Sequence, residues 1–212
     1  MSELFEAIVQ GKAPGAADAA RRALDGGMPA LELVQSHMVP AMDEVGRRFE
    51  CEEYFVPQLL LSARAMKAAL ALARPLLAAS GAASAGTVAI GTVKGDLHDI
   101  GKNIVGAMLE GAGFEVLDLG TDVPPQTFVE AVRDRGATVV GLSALITVTM
   151  PAMRATVEAL RAAGVRDRVA VMVGGAPVTQ RFADEIGADG YSDNAASAVA
   201  LARRLMAARA AV

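Results

Sequence analysis

Asp96 and His98 stand two residues apart in the segment KGDLHDIG, Lys94–Gly101, and are the pair best suited to chemistry. A neutral imidazole can ligate a metal through one ring nitrogen. A carboxylate close by can hold the other nitrogen, fixing the tautomer and the direction of the ring. The chain has only two histidines, His37 and His98, and one cysteine, Cys51. A site with several His ligands, or a multi-cysteine zinc or iron–sulfur site, is all but excluded. The protein can supply about one ligand at this loop, so the others must arrive with the metal. A macrocycle-bound metal meets that condition and a bare zinc ion does not. The alternative is a turn or N-cap histidine held by its Asp neighbour, and spacing alone does not choose between the two.

Other chemistries fit less well. A nucleotide phosphate loop needs four residues between its glycines, then Lys and Ser or Thr. Here five separate Gly95 from Gly101, and Lys102 is followed by Asn103. A Gly-x-Gly-x-x-Gly dinucleotide fingerprint is also absent from this loop. Cys51 lies among Glu50, Glu52 and Glu53, which disfavour its thiolate. His37 and the pairs Arg21-Arg22, Arg47-Arg48 and Arg203-Arg204 read as structural or solvated positions.

The chain that must position the loop has 212 residues, 53% apolar and 21% charged, a globular composition. Its net charge is −4, divided equally between residues 1–83 and 84–212. No basic footprint for nucleic acid exists. The uncharged stretches Pro75–Val93 and Gly136–Met153 are interrupted by Gly, Ser, Thr or Pro and read as soluble segments, not membrane spans. No signal peptide is read at MSELFEAIVQGK, so a cytoplasmic location is expected.

Residues 1 to about 80 carry helical patterning only. Leu4, Ile8 and Val9 open a first helix, Gly11 to Gly15 break the chain, and Ala16–Leu24 form a second. A third starts at Pro29 with apolar positions Leu33, Val34, Met38, Met42, Val45 and Phe49, kinked or interrupted at Pro40. A fourth runs from Pro57 to about Ala79. SGAASAG, Ser80–Gly86, has linker composition. Five short apolar strands then alternate with helices, at Thr87–Val93, Phe114–Leu119, Thr138–Leu142, Val169–Val173 and Gly190-Tyr191. Such alternation predicts an α/β domain with a parallel sheet covered on both faces. Ligands in such sheets bind beyond the carboxyl ends of the strands, where KGDLHDIG falls.

Three motifs in order, Asp96-x-His98-x-x-Gly101, Ser143-x-Leu145 and Gly174-Gly175, resemble the signature of cobalamin-binding modules. The separations are 41 residues from Gly101 to Ser143 and 28 from Leu145 to Gly174. The segment MDEVGRRFECEEYFVPQLLLSARAM is similar to the helical cap that accompanies those modules. The pair resembles the corrinoid proteins of methyltransferase systems and the cobalamin-binding part of methionine synthase. The resemblance implies a helical cap domain over 1–83 and a Rossmann-like, five-stranded cobalamin-binding domain over 84–212.

It also implies roles. His98 replaces the cofactor's benzimidazole as lower axial ligand of cobalt, Asp96 accepts a hydrogen bond from the other imidazole nitrogen, and Thr149 continues the relay. Ser is familiar where Thr149 stands; Thr keeps the hydroxyl and adds a methyl group and a stiffer rotamer. Gly95, Asp99 and Ile100 belong to the cofactor loop. Gly101, Ser143, Leu145, Gly174 and Gly175 line the slot for the displaced nucleotide tail, and Thr147 hydrogen-bonds nearby. Phe49 and Val56 cover the upper cobalt face. The implied activity is methyl carriage between a substrate-specific methyltransferase and a corrinoid:acceptor methyltransferase that serves tetrahydrofolate or a thiol. A reductive activase is a further partner of such systems. By itself the chain would be a shuttle without a substrate site. Two alternatives are a cobalamin or light sensor, which would carry an output domain, and a mutase subunit, which would lack this cap.

Overall fold

The computed structural model describes residues 2–79 and 85–210; most of the SGAASAG segment, residues 80–84, lies outside them. The chain divides into two compact units, Met1–Ser84 with Glu110–Gly113, and Ala85–Leu109 with Phe114–Val212.

The first unit is helical. Helix α1 (Glu3–Val9) is capped by the Ser2 hydroxyl, which accepts from the Phe5 N–H at 3.3 Å. Helix α2 (Ala13–Asp25) starts earlier than Gly11 to Gly15 suggest, because Pro14 occupies its first turn, where a missing N–H costs nothing. Helix α3 (Ala30–Leu33) passes through a π-helical turn, Val34–Met38, into α4 (Val39–Glu50). The expected irregularity at Pro40 is this wider turn: Val39 N–H reaches back five residues to Val34 O. Proline's ring crowds the carbonyl four residues before it, and the extra residue per turn relieves that clash. Helix α5 (Val56–Ala79) buries Leu59, Ala63, Met66, Leu70 and Ala73 along one face and exposes Arg64, Lys67 and Arg74 on another. Its segment Val56–Leu77 is long and apolar enough to cross a membrane by composition, but 44% of the apolar 18-residue stretch within it is buried in the protein. That burial and the charged stripe mark it as a bundle helix. Tyr54 and Ser62 hydroxyls both donate to Val9 O, each at 3.1 Å, and satisfy the open end of α1.

The second unit is α/β, with strands β1 (Thr87–Thr92), β2 (Glu115–Asp118), β3 (Val139–Ser143), β4 (Ala170–Gly174) and β5 (Gly190–Ser192). Their order is β2-β1-β3-β4-β5 and every pairing is parallel. Helices α6 (Ile100–Gly111), α7 (Pro125–Arg135), α8 (Met150–Ala162), α9 (Gln180–Ile186) and α10 (Ala195–Ala210) alternate with the strands. Val140, Leu142, Val171 and Val173 pack with Phe128, Val132, Met153 and Leu160 in one apolar core. Both faces of the central strands are buried, which is why they read as continuous apolar runs. The strand order reverses between β1 and β3. Ligands of such sheets bind at the carboxyl ends beside the switch point, and two of the three motif loops leave the sheet there.

Candidate functional site

Thr92, the last residue of β1, is fully buried, and its hydroxyl donates to His98 O at 2.8 Å, folding the following loop back on the sheet. Within the loop the Asp96 side chain is wholly buried, whereas the His98 side chain is 52% exposed. Asp96 Oδ1 faces His98 N at 3.1 Å and His98 Nδ1 at 2.7 Å. Asp96 Oδ2 accepts from Leu145 N–H at 2.8 Å and from the Thr149 hydroxyl at 2.7 Å. Thr149 has one hydrogen and a second acceptor in reach, Ile146 O at 2.8 Å.

This environment settles the ionisation of Asp96. Burial pushes its carboxyl up, but the N–H of Leu145, the N–H of His98, the Thr149 hydroxyl and the His98 ring together hold it well below the usual carboxylate range. An ionised carboxylate only accepts hydrogen bonds, so His98 Nδ1 carries a hydrogen, and in the neutral imidazole the lone pair is on Nε2. A half-exposed imidazole with its inner nitrogen fixed by a buried carboxylate can ligate one metal position or hold one proton. No group of three or more His, Cys, Asp and Glu able to hold a metal exists among the described residues.

The surroundings are apolar and open. Leu97, Ile100, Leu145, Ile146 and Val148, all from the loops after β1 and β3, are exposed, three of them by more than 70%. Of these, the sequence pattern singles out only Ile100 and Leu145. Gly101 stands at the start of α6, and beyond its chain neighbours and the helix's own backbone nothing lies within 4 Å of where a Cβ would be. Beyond β4, Gly175 has φ +128°, and a Cβ there would overlap Ala144 O and lie 2.9 Å from Ala144 C. A Cβ on Gly174 would stand 3.0 Å from Ser192 O.

A B12 binding domain profile matches residues 86–200, and a second B12 binding domain profile matches residues 2–74. The dimethylamine corrinoid protein of Methanosarcina barkeri is 42% identical over 208 residues, 98% of this chain and 97% of its own. The chain belongs to the corrinoid proteins of methyltransferase systems. A corrinoid protein of Desulfitobacterium hafniense is 41% identical over 209 residues, covering 97% of each chain. Among solved structures, a cobalamin-binding protein from Desulfitobacterium hafniense superposes with TM-score 0.81 at 34% identity, over 95% of this chain and 96% of the other. The methanol:cobalamin methyltransferase complex of Methanosarcina barkeri superposes with TM-score 0.82 at 30% identity, over 97% of this chain and 78% of that chain.

The cofactor of this corrinoid protein is cobalamin, and the residues present fit it. Cobalamin brings its own equatorial ligands, so a single imidazole completes what the protein must supply. The exposed apolar rim suits a flat macrocycle, and the open space beside Gly101 would be filled by any side chain. Of the residues named from sequence, Gly95, Asp96, His98, Asp99, Ile100 and Gly101 share one loop and helix start. Ser143, Leu145, Thr147 and Thr149 share the next, and Asp96 joins the two. Gly174 and Gly175 lie at the end of the neighbouring strand β4. Phe49, half-buried in the last turn of α4, and Val56, 38% exposed at the start of α5, belong to the helical unit.

Two groups escape a reading of the sequence alone. Asp122, in the loop after β2, accepts from Gly95 N–H at 2.8 Å and Lys94 Nζ at 3.0 Å. Lys102, with a side chain only 2% exposed, donates to both oxygens of Asp118 at 2.6 and 2.7 Å and to Asn103 Oδ1 at 2.6 Å. Burial pushes the Asp118 carboxyl up, but Lys102 and the Gly120 N–H together outweigh it and hold the carboxyl below its ordinary value. For Asp122 the available signal is the turn-forming run TDVPP. For Lys102, next to the failed phosphate-loop pattern, no local signal exists.

Proposed function

We propose that this corrinoid protein carries methyl groups with its cofactor in the base-off, His-on form. His98 Nε2 would hold the cobalt. The observation that carries the reading is the buried Asp96 carboxylate at 2.7 Å from His98 Nδ1, which leaves Nε2 with its lone pair on the exposed side. When bound, the corrinoid supplies the cobalt centre that takes up and gives away the methyl group.

The protein's own residues do the rest. Asp96 keeps the hydrogen on Nδ1 and so fixes the tautomer and the direction of the ring. Thr149 donates to the other carboxylate oxygen and keeps Asp96 aligned. Gly101, Ser143, Leu145, Thr147, Gly174 and Gly175 would bind the displaced tail, with Gly95, Asp99 and Ile100 around the loop. Residues 1–83 would be the cap, with Phe49 and Val56 excluding water from the upper cobalt face, and residues 84–212 the cobalamin domain. The donor-side partner would be a methyltransferase like those named in the relatives' systems. The acceptor side would be a second methyltransferase, with a reductive activase to restore the lowest oxidation state, all in the cytoplasm.

The test is an EPR spectrum of the Co(II) protein reconstituted with cobalamin whose benzimidazole is nitrogen-15 labelled. A nitrogen-14 splitting in the intact chain that disappears in His98→Ala is expected. A nitrogen-15 splitting in the intact chain would show the cofactor retaining its own base and would overturn the His-on assignment.

A further inference from the structure

Asp96 is held through its side chain by residues of its own loop and the loop after β3, and its N–H donates to Val93 O at 3.1 Å, but its carbonyl and the preceding Gly95 N–H are held from elsewhere. The loop after β2 supplies the hold. Asp122 Oδ1 accepts from Gly95 N–H at 2.8 Å, one residue before Asp96. Asp122 N–H donates to Asp96 O at 2.9 Å, the carbonyl immediately after its Cα. One residue therefore grips the backbone on both sides of Asp96. The grip is backed by the bridge Val93–Val123 and by Lys94 Nζ, 3.0 Å from Asp122 Oδ2.

Both partners adopt backbone conformations that side chains disfavour. Asp122 has φ +53° and is one of only two non-glycine residues with positive φ among the described residues; Gly95 has φ +86°. A non-glycine residue persists there only when its surroundings over-determine it, and Asp tolerates the region better than most. Asp122→Gly would therefore relieve backbone strain. A carboxylate retained at that cost is explained by what its oxygens hold.

We infer that Asp122 is a positioning residue for the Asp96–His98 pair, setting the direction of the imidazole through the Gly95–Asp96 backbone. The inference about the cobalt ligand rests on the His-on reading above; the inference about the tautomer does not.

The test compares Asp122→Gly, which keeps the left-handed backbone and removes both oxygens, with Asp122→Asn, which keeps Oδ1. Nitrogen-15 NMR of the cofactor-free chain reports the His98 tautomer, with His37 as the internal reference. Co(II) EPR with nitrogen-15-labelled benzimidazole then reports the ratio of His-bound to base-bound cofactor. Asp122→Gly should lose the Nδ1–H preference and lower that ratio by ~10-fold, the lower end for partners that orient a metal ligand. Asp122→Asn should keep both. Asp122→Gly with the wild-type tautomer and splitting overturns the inference, even if its melting temperature falls, since a merely structural role would move only the latter. If Asp122→Gly does not fold, Asp122→Glu replaces it, because the longer arm displaces the carboxylate from Gly95 N–H. The same loss is expected, and a wild-type tautomer there refutes it. A wild-type chain without nitrogen-14 splitting refutes the His-on reading, and the NMR comparison still decides the role of Asp122.

Discussion

Asp96→Asn removes one charge and replaces one acceptor oxygen by a donor, in a setting where every contact of the carboxylate is defined. Four donors converge on it, two on each oxygen. Asn can serve only one pair. The Leu145 N–H and Thr149 contacts, at 2.8 and 2.7 Å, are both shorter than the 3.1 Å bond from His98 N–H, so the amide oxygen should take the Oδ2 side. Its NH2 then faces His98. The imidazole can adapt by making Nδ1 an acceptor and moving its hydrogen to Nε2; the His98 backbone N–H cannot adapt and loses its partner. An orphaned, partly buried N–H costs about 1–3 kcal/mol. For a chain of this size that lowers the melting temperature by ~2–12 °C. The tautomer switch also removes the lone pair from Nε2, with an expected loss of ~10–100-fold in His-on affinity. Thermal denaturation and imidazole nitrogen-15 NMR of the cofactor-free variant measure the two effects separately. A variant that melts within about 1 °C of wild type and keeps hydrogen on Nδ1 would refute the account of Asp96 as a four-donor acceptor.

Other consequences can be checked with the same preparations. Gly175→Ala combines a positive φ with a Cβ driven into the backbone of Ala144; strain and overpacking together should cost about 4 kcal/mol, read as a lower melting temperature. Asp118→Ala leaves the buried Lys102 ammonium unpaired and should cost about 3 kcal/mol, whereas Lys102→Met leaves a carboxylate that is 53% exposed and should cost under ~1 kcal/mol; equal losses in urea denaturation would refute the asymmetry. Asp96 and Asp118 both have folded values below their ordinary carboxylate values. The unfolded chain therefore binds more protons in acid, so the cofactor-free chain should lose melting temperature as the pH falls below about 4.

Legibility in the sequence depends on how local each feature is. The Asp96–His98 pair lies within three residues, so its chemistry can be argued before any fold is known. The strands can be found because burial on both faces leaves unbroken apolar runs, but their order cannot, since nothing in Thr87–Val93 says that it pairs with both β2 and β3. Helix α2 is longer than its glycines suggest, because Pro14, whose fixed φ starts a helix, outweighs Gly15. The exposed Leu97, Ile146 and Val148 look like core residues in a one-dimensional pattern. Only the loop geometry shows that they have nowhere to be buried within the sheet unit. Asp122 is the sharpest case. It acts on Asp96 from 26 positions away, through two hydrogen bonds, one of which any residue with a backbone N–H could make. Side-chain identity matters there for one oxygen and for tolerance of a left-handed backbone, and neither leaves a periodic or motif-like trace. A site assembled at a switch point divides in this way: the residue that carries the chemistry is legible from its neighbours in sequence, and the residue that aims it is legible only from the parallel strand beside it.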